Sequence, residues 1–187
     1  MKKNLSISVR LTIVMIVLCA VIFPLFISAI GRLTPGGGKG ETVSVNGRVV
    51  GYEKIGQKFT DDRYFAGRPS AVDYNAAGSA GSNKGPSNPD YLQVVSDRID
   101  SFMVHNPGVK KSEIPADLVT ASGSGLDPDI SPAAAFVQVN RIATIRKIEP
   151  AKVRALVEGH IEKPLAGILG PSKVNVLKLN IALDTIR

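Results

Sequence analysis

The residues of this chain best suited to chemistry lie between Asp117 and Arg141, in DLVTASGSGLDPDISPAAAFVQVNR. The run Ala121-Ser122-Gly123-Ser124-Gly125 supplies small side chains and backbone N–H groups that a ligand can reach. Ser131-Pro132 pairs a capping hydroxyl with a proline at the first helical position, so a helix opens there. The positive end of such a helix attracts an anion. Gln138 and Arg141, three residues apart, are neighbours on its surface. The same residues also fit a plain structural loop capped into a helix, with Gln138 and Arg141 on a solvated polar face.

Other familiar site patterns are missing. His105 and His160 stand far apart, and neither belongs to a metal-binding spacing such as HExxH, so each reads as a surface or helix-end residue. No G-x-S-x-G elbow supports a serine hydrolase. Asp61-Asp62 and Asp127-x-Asp129 lack the remaining ligands of a calcium loop and read as turn and cap residues. Gly36 to Gly40, GGGKG, resembles a phosphate loop, but the lysine is followed by glycine and no strand precedes it. That run is a linker.

These candidates must be positioned by a chain with one dominant apolar stretch, residues 11–30, LTIVMIVLCAVIFPLFISAI, flanked by Arg10 and Arg32. At about 1.5 Å of helical rise per residue it spans about 30 Å, the thickness of a bilayer's hydrocarbon core. A helix satisfies its own backbone in lipid, and Pro24 can kink it at tolerable cost. The apolar core is longer than that of a cleaved signal peptide. A lipoprotein site at Cys19 lacks the small residue needed at Leu18. The reading is a single anchor. Cys19 is the only cysteine, which excludes an internal disulfide.

Organisation follows from this: an N-terminal cytoplasmic tail over 1–10, a transmembrane helix over 11–31, a Gly-rich linker over 32–41, and one soluble α+β domain over 42–187. Lys2, Lys3, Arg10 and the terminal amine precede the anchor, while Arg32, Lys39 and Arg48 follow it. The short tail is the easier side to leave inside, and a large domain is exported whatever its charge, so the domain is expected outside the cytoplasm. The net charge of +7 is dispersed, and there is no tryptophan. Nucleic-acid binding needs a concentrated basic patch, usually with stacking aromatics, and is not expected.

Within the domain, Asn46-Gly47 predicts a hairpin over 42–52, because both central residues of such a turn need positive φ. Residues 57–89 are rich in Gly, Ser, Asn and Pro but carry Phe59, Tyr64, Phe65 and Tyr74, aromatics able to tether an irregular segment to a core. Asn88-Pro89 opens a helix with Leu92, Val95, Ile99, Phe102 and Met103 at helical spacing, stopped by Asn106-Pro107-Gly108. A second helix from Ser131-Pro132 carries Phe136, Val139, Ile142 and Ala143 on one face. A third runs from Pro150 through Val153, Leu156, Val157 and His160. The tail alternates at Leu177, Leu179, Ile181 and Leu183, which fits either a strand or a short buried helix.

The blocks YFAGRPSA (64–71), Tyr74-Asn75, SAGSNKGPSNP (79–89), TASGSGLDPDISPAAA (120–135) and VNVLKLN (174–180) resemble, in this order, the C subunit of the Kdp potassium-transporting ATPase. The resemblance covers essentially the whole chain, anchor included. It departs at Asp129, where members commonly carry histidine, so no histidine-dependent role is expected at that position.

The resemblance implies a non-catalytic subunit of a bacterial inner-membrane complex that imports potassium using ATP, with partner subunits that form the pore and hydrolyse ATP. It implies a catalytic chaperone that raises ATP affinity, through a region compared with the signature motif of ABC transporters. Carried onto this chain, the nucleotide-binding residues are Ser122, Gly123, Ser124, Gly125 and Gln138. Tyr64, Phe65, Arg68, Asn83 and Asp127 are the expected partner contacts. No cofactor is expected to bind tightly; ATP belongs to the complex, and lipid surrounds the anchor. An outward domain cannot touch cytoplasmic ATP, so coupling is expected to be allosteric. The other reading from the residues is an anchored extracytoplasmic binding module for an unknown polymer or protein. The third reading, an anchored hydrolase, lacks any assembled nucleophile and base.

Overall fold

A computed structural model of the chain describes residues 2–186. Met1 and Arg187, the outer ends of the expected tail and domain, lie outside the described residues. The chain forms two compact units, residues 1–42 and 43–187.

The first unit is helical from α1 (Lys2–Ile16) through a π-helical stretch, Val17–Ile22, to α2 (Phe23–Gly31). Its Lys3–Gly31 portion is long and apolar enough to cross a membrane. The π stretch ends just before Pro24, with Phe23 N–H donating to the Leu18 carbonyl five residues back. A π turn shifts the hydrogen-bond ladder by one residue where the proline ring removes a donor and crowds the preceding turn. Large side chains such as Leu11, Val14, Phe23 and Leu25 are exposed along this helix.

The second unit is a mixed α+β domain. Strands β1 (Thr42–Val45) and β2 (Arg48–Tyr52) form a two-stranded sheet. Asn46 and Gly47 between them have φ of 50° and 77°, as the primed hairpin turn requires. Helix α3 (Pro89–His105) begins with the Asn88 side chain accepting from the Tyr91 N–H at 3.0 Å. No α3 residue is fully buried: Val95, Ile99, Phe102 and Met103 are half-buried, while Leu92 is exposed. The helix lies on the surface of the core.

Strand β3 (Asp129–Ile130) leads into α4 (Pro132–Phe136) and α5 (Val139–Arg146), then α6 (Pro150–Gly159) and β4 (Ile161–Glu162). Strand β5 (Lys173–Asn175) runs directly into α7 (Val176–Leu183). The sheet order is β3-β5-β4, antiparallel throughout, with Ile130 and Ile161 both opposite Val174. Phe65, Ile130, Val139, Ile142, Val153, Val157, Val174, Leu179 and Leu183 make the core.

Two expectations resolve differently from a simple periodic reading. The single helix expected from Ser131 is split at Val137-Gln138. There the Gln138 side-chain amide donates to the Ala134 carbonyl at 2.9 Å, the acceptor that its own backbone would use in an α-helix. The Gln138 backbone N–H turns to Ala135 instead, at 3.2 Å. The C-terminal tail, open between strand and helix, is helical. Asn175 caps it by accepting from the Lys178 N–H at 3.0 Å, and Val176, Leu179, Asn180 and Leu183 face inward at helical spacing.

Candidate functional site

The small-residue loop is held by its own hydroxyls and by residues 69–81. Ser122 is buried; its N–H donates to the Pro69 carbonyl at 3.1 Å, and its Oγ accepts from the Gly125 N–H at 3.0 Å. Ser124 Oγ accepts from the Leu126 N–H at 3.0 Å, and the Ser124 carbonyl accepts from the Ser79 hydroxyl at 2.9 Å. The Ser70 hydroxyl donates to the Gly125 carbonyl at 2.7 Å. Gly125 has φ of 68°, and a Cβ there would lie 2.6 Å from Val72 Cγ2 and 2.8 Å from the Ala80 carbonyl oxygen. The glycine serves close backbone packing. Gly123 and Ser124 alone present their surface to solvent.

The positive end of α4 is already met by a carboxylate of the chain. Asp117 accepts from the Ser131 N–H at 2.7 Å and from the Ser131 hydroxyl at 3.2 Å, while Ser131 Oγ caps the Ala134 N–H at 3.1 Å.

Gln138 and Arg141 do not form a solvated polar face; both are buried. The Gln138 amide oxygen accepts from the Ala66 N–H and from Arg141 Nη2, each at 2.8 Å. Its amide nitrogen donates to the Ala66 carbonyl at 3.2 Å and to Ala134. Two acceptor and two donor bonds exhaust the capacity of a glutamine side chain. Arg141 donates to Asn106 Oδ1 at 2.9 Å, to the Tyr64 carbonyl at 3.1 Å and to the Asp62 carbonyl. Burial pulls the Arg141 pKa down, opposed by the charges of Asp62 and Asp61.

Sequence reasoning missed the third member of this group, Asn180. It accepts from the Phe65 N–H at 2.8 Å and donates to the Phe65 carbonyl at 3.0 Å. Asn180 and Gln138 thus imitate the two neighbouring strands of an extended segment, one engaging residue 65 and the other residue 66, on opposite sides. A lone asparagine between Leu179 and Ile181 in an apolar run was the available signal.

The expected partner contacts separate. Phe65 is wholly buried in the core, which leaves no surface of its ring for another molecule. Tyr64 is half-buried, its hydroxyl 3.1 Å from Asp184 Oδ2 and its ring 4.7 Å beneath the Arg146 guanidinium. Arg68 and Asp127 form a half-buried ion pair at 3.0 Å. Asn83 is exposed with φ of 51°. The exposed Asp61–Arg63 pair at 2.7 Å holds the Asp61 pKa down to about 2 through hydrogen bonds from Arg63.

His105 ends α3, exposed, with Nδ1 2.9 Å from Asp62 Oδ2; His160 caps the end of α6. Among the described residues no cluster of three His, Cys, Asp or Glu could hold a metal ion. A cleft of about 360 Å³ is lined by Asp61, Asp62, His105 and Arg141, but the Arg141 donors in it already serve the fold.

A membrane-length apolar helix ahead of a small α+β domain, whose buried polar side chains are engaged in fixing an irregular segment, defines the class. The chain belongs to the family described as K+-transporting ATPase, c chain, which matches residues 5–185. It is 60% identical over 185 residues to the potassium-transporting ATPase KdpC subunit of Flavobacterium psychrophilum, covering 99% of this chain and 100% of that protein. The KdpC subunit of Bacteroides fragilis is 48% identical over 188 residues, covering 99% and 98%. That of Caldanaerobacter subterraneus is 47% identical over 184 residues, covering 98% and 95%.

Proposed function

We propose that this chain is the non-catalytic accessory subunit of an ATP-driven potassium importer in the bacterial inner membrane. Its apolar helix anchors it in lipid beside the pore-forming and ATP-hydrolysing subunits, with the domain outside the cytoplasm. It stabilises the assembly and raises the pump's affinity for ATP allosterically, by contacting two pump states unequally. ATP is a ligand of the complex, and this subunit holds no cofactor tightly.

The observation that carries the allosteric reading is the state of Gln138. Its side chain is 0% exposed with all four hydrogen-bonding positions engaged inside the domain, which argues against a nucleotide contact there. Direct contact would have to use exposed Gly123 and Ser124 alone.

Topology tests the proposal. Cys19 is the sole cysteine and lies in the apolar helix, so Ser112→Cys on the exposed surface supplies one accessible thiol. An impermeant maleimide is expected to label it with the inner membrane intact. Labelling only after lysis would overturn the outward domain and return nucleotide contact to the leading mechanism.

A further inference from the structure

The apolar helix breaks its own hydrogen-bond ladder near its middle. In an α-helix the Cys19 carbonyl accepts from the N–H of residue 23, and in a π turn from that of residue 24. Here the Phe23 N–H donates to the Leu18 carbonyl, and residue 24 is Pro24, which has no N–H. Ile22, inside the π stretch, follows the same pattern and donates five residues back. No backbone donor of the helix is left for Cys19. Ala20 has lost its α-helical donor as well, because that too is residue 24.

The break falls where it costs most. Cys19 stands about 12 Å along the axis from Leu11 and about 16 Å from Ile30, near the centre of the hydrocarbon layer that the run spans. At that depth a backbone acceptor without a donor is expensive, and acyl chains carry no donor to offer. The polar side chains of the run itself, Thr12 and Ser28, lie about 10 and 13 Å away along the axis. A second copy in the same orientation would therefore bring only the weak thiol donor of its own Cys19 to this level. The side chains on either side of the carbonyl, Cys19 and Ala20, are small and exposed, so a donor from another helix can approach the backbone closely.

We propose that the Cys19 carbonyl is an acceptor site at mid-membrane depth for a hydroxyl, amide or amine side chain on a transmembrane helix of a companion subunit. A wholly apolar helix could pack against the anchor but would leave the acceptor unmet, whereas one donor side chain satisfies it. The π stretch ahead of Pro24 thus turns an otherwise featureless apolar helix into one that selects its neighbour by a polar group. The proposal rests on the accessory-subunit reading and assigns one backbone group of the anchor a part in that assembly.

The single cysteine makes the site directly observable. Labelling the full chain with 13C at cysteine carbonyls and 15N at alanines leaves one doubly labelled peptide bond, Cys19–Ala20. Solid-state NMR filtered through that bond reads the Cys19 carbonyl shift in phosphatidylethanolamine–phosphatidylglycerol vesicles, for the chain alone and after assembly with unlabelled companion subunits. The expected result is a downfield move of this resonance in the complex, the response of a carbonyl that gains a hydrogen bond. Pro24→Ala restores an N–H at residue 24 and with it a donor for Cys19, so its resonance is expected downfield in the chain alone, with little further movement on assembly. A wild-type resonance already downfield in the chain alone means that water meets the carbonyl. One that stays in place on assembly means that no companion donor does. Either result overturns the proposal, as does a Pro24→Ala resonance equal to wild type in the chain alone. Failure of the labelled chain to assemble with any companion subunit overturns the accessory-subunit reading instead, and the acceptor site falls with it.

Discussion

Arg141 Nη2 donates to the Gln138 side-chain oxygen at 2.8 Å, and between them the two side chains engage the backbone of residues 62, 64 and 66. Asn180 engages residue 65 from the other side. An irregular segment with no strand neighbour thus has its backbone satisfied by side-chain amides and a guanidinium, which is how residues 62–66 can be held against the core, with Phe65 buried in it, outside any sheet.

Removing either amide strands several buried groups at once. Gln138→Ala leaves the Ala66 N–H and C=O and the Ala134 carbonyl unpaired, and is expected to cost about 2–4 kcal/mol of stability. Asn180→Ala should cost a similar amount. Urea denaturation reads this as a lowered midpoint with an unchanged slope. A midpoint equal to wild type would show that the two amides do not hold the segment.

Phe65 is 0% exposed, so its truncation acts on the fold. Phe65→Ala is expected to cost about 3–5 kcal/mol, while Val104→Ala, on the exposed face of α3, should stay within about 0.5 kcal/mol. Thermal unfolding of the two variants side by side checks the contrast. Equal losses would mean that Phe65 is no core residue.

Gly125 tests whether the small-residue loop is built for packing. Gly125→Ala places a Cβ 2.6 Å from Val72 Cγ2 at a φ of 68°, and should destabilise by about 1–3 kcal/mol. Gly123→Ala meets nothing within 4 Å and should be far milder. The ratio of their denaturation midpoints decides it.

Tyr74 gives an alkaline signature. Burial, then the nearby Asp127 charge, raises its pKa above the ordinary 10.0, and its hydroxyl donates to the Arg68 carbonyl. The unfolded chain therefore releases this proton at a lower pH than the folded one. The stability it contributes is complete below pH 10 and is lost as pH rises from there through the folded-state pKa. Absorbance titration near the tyrosinate band should show a late-ionising step, and Tyr74→Phe should remove that step. A titration curve that Tyr74→Phe leaves unchanged at its alkaline end would contradict the burial.

Much was readable locally. The apolar run over 11–30, the Asn46-Gly47 turn, and the caps at Asn88 and Ser131 all depend on neighbours within a few residues, and each appears where the sequence places it. Pro24 was readable as a disturbance, but its resolution as a π stretch depended on how the preceding turn adjusted its ladder.

What the sequence by itself determined, then, was the family, through the blocks by which it resembles other members, and the membrane-length helix, the α+β class and the local stops and starts, because periodicity and capping are short-range physics. Only the tertiary structure decided what the polar residues do. Gln138 and Arg141 at a three-residue spacing look the same in sequence whether they face water or the core, and their partners at 62–66 lie more than seventy residues away. The same holds for Asn180 against Phe65 and for the helix chosen by the tail. Asn175 joins β5 to α7 and caps its first turn, a choice that alternation among Leu177, Leu179, Ile181 and Leu183 left open. Long-range contacts carry no period, so they become visible only when the chain has closed on itself.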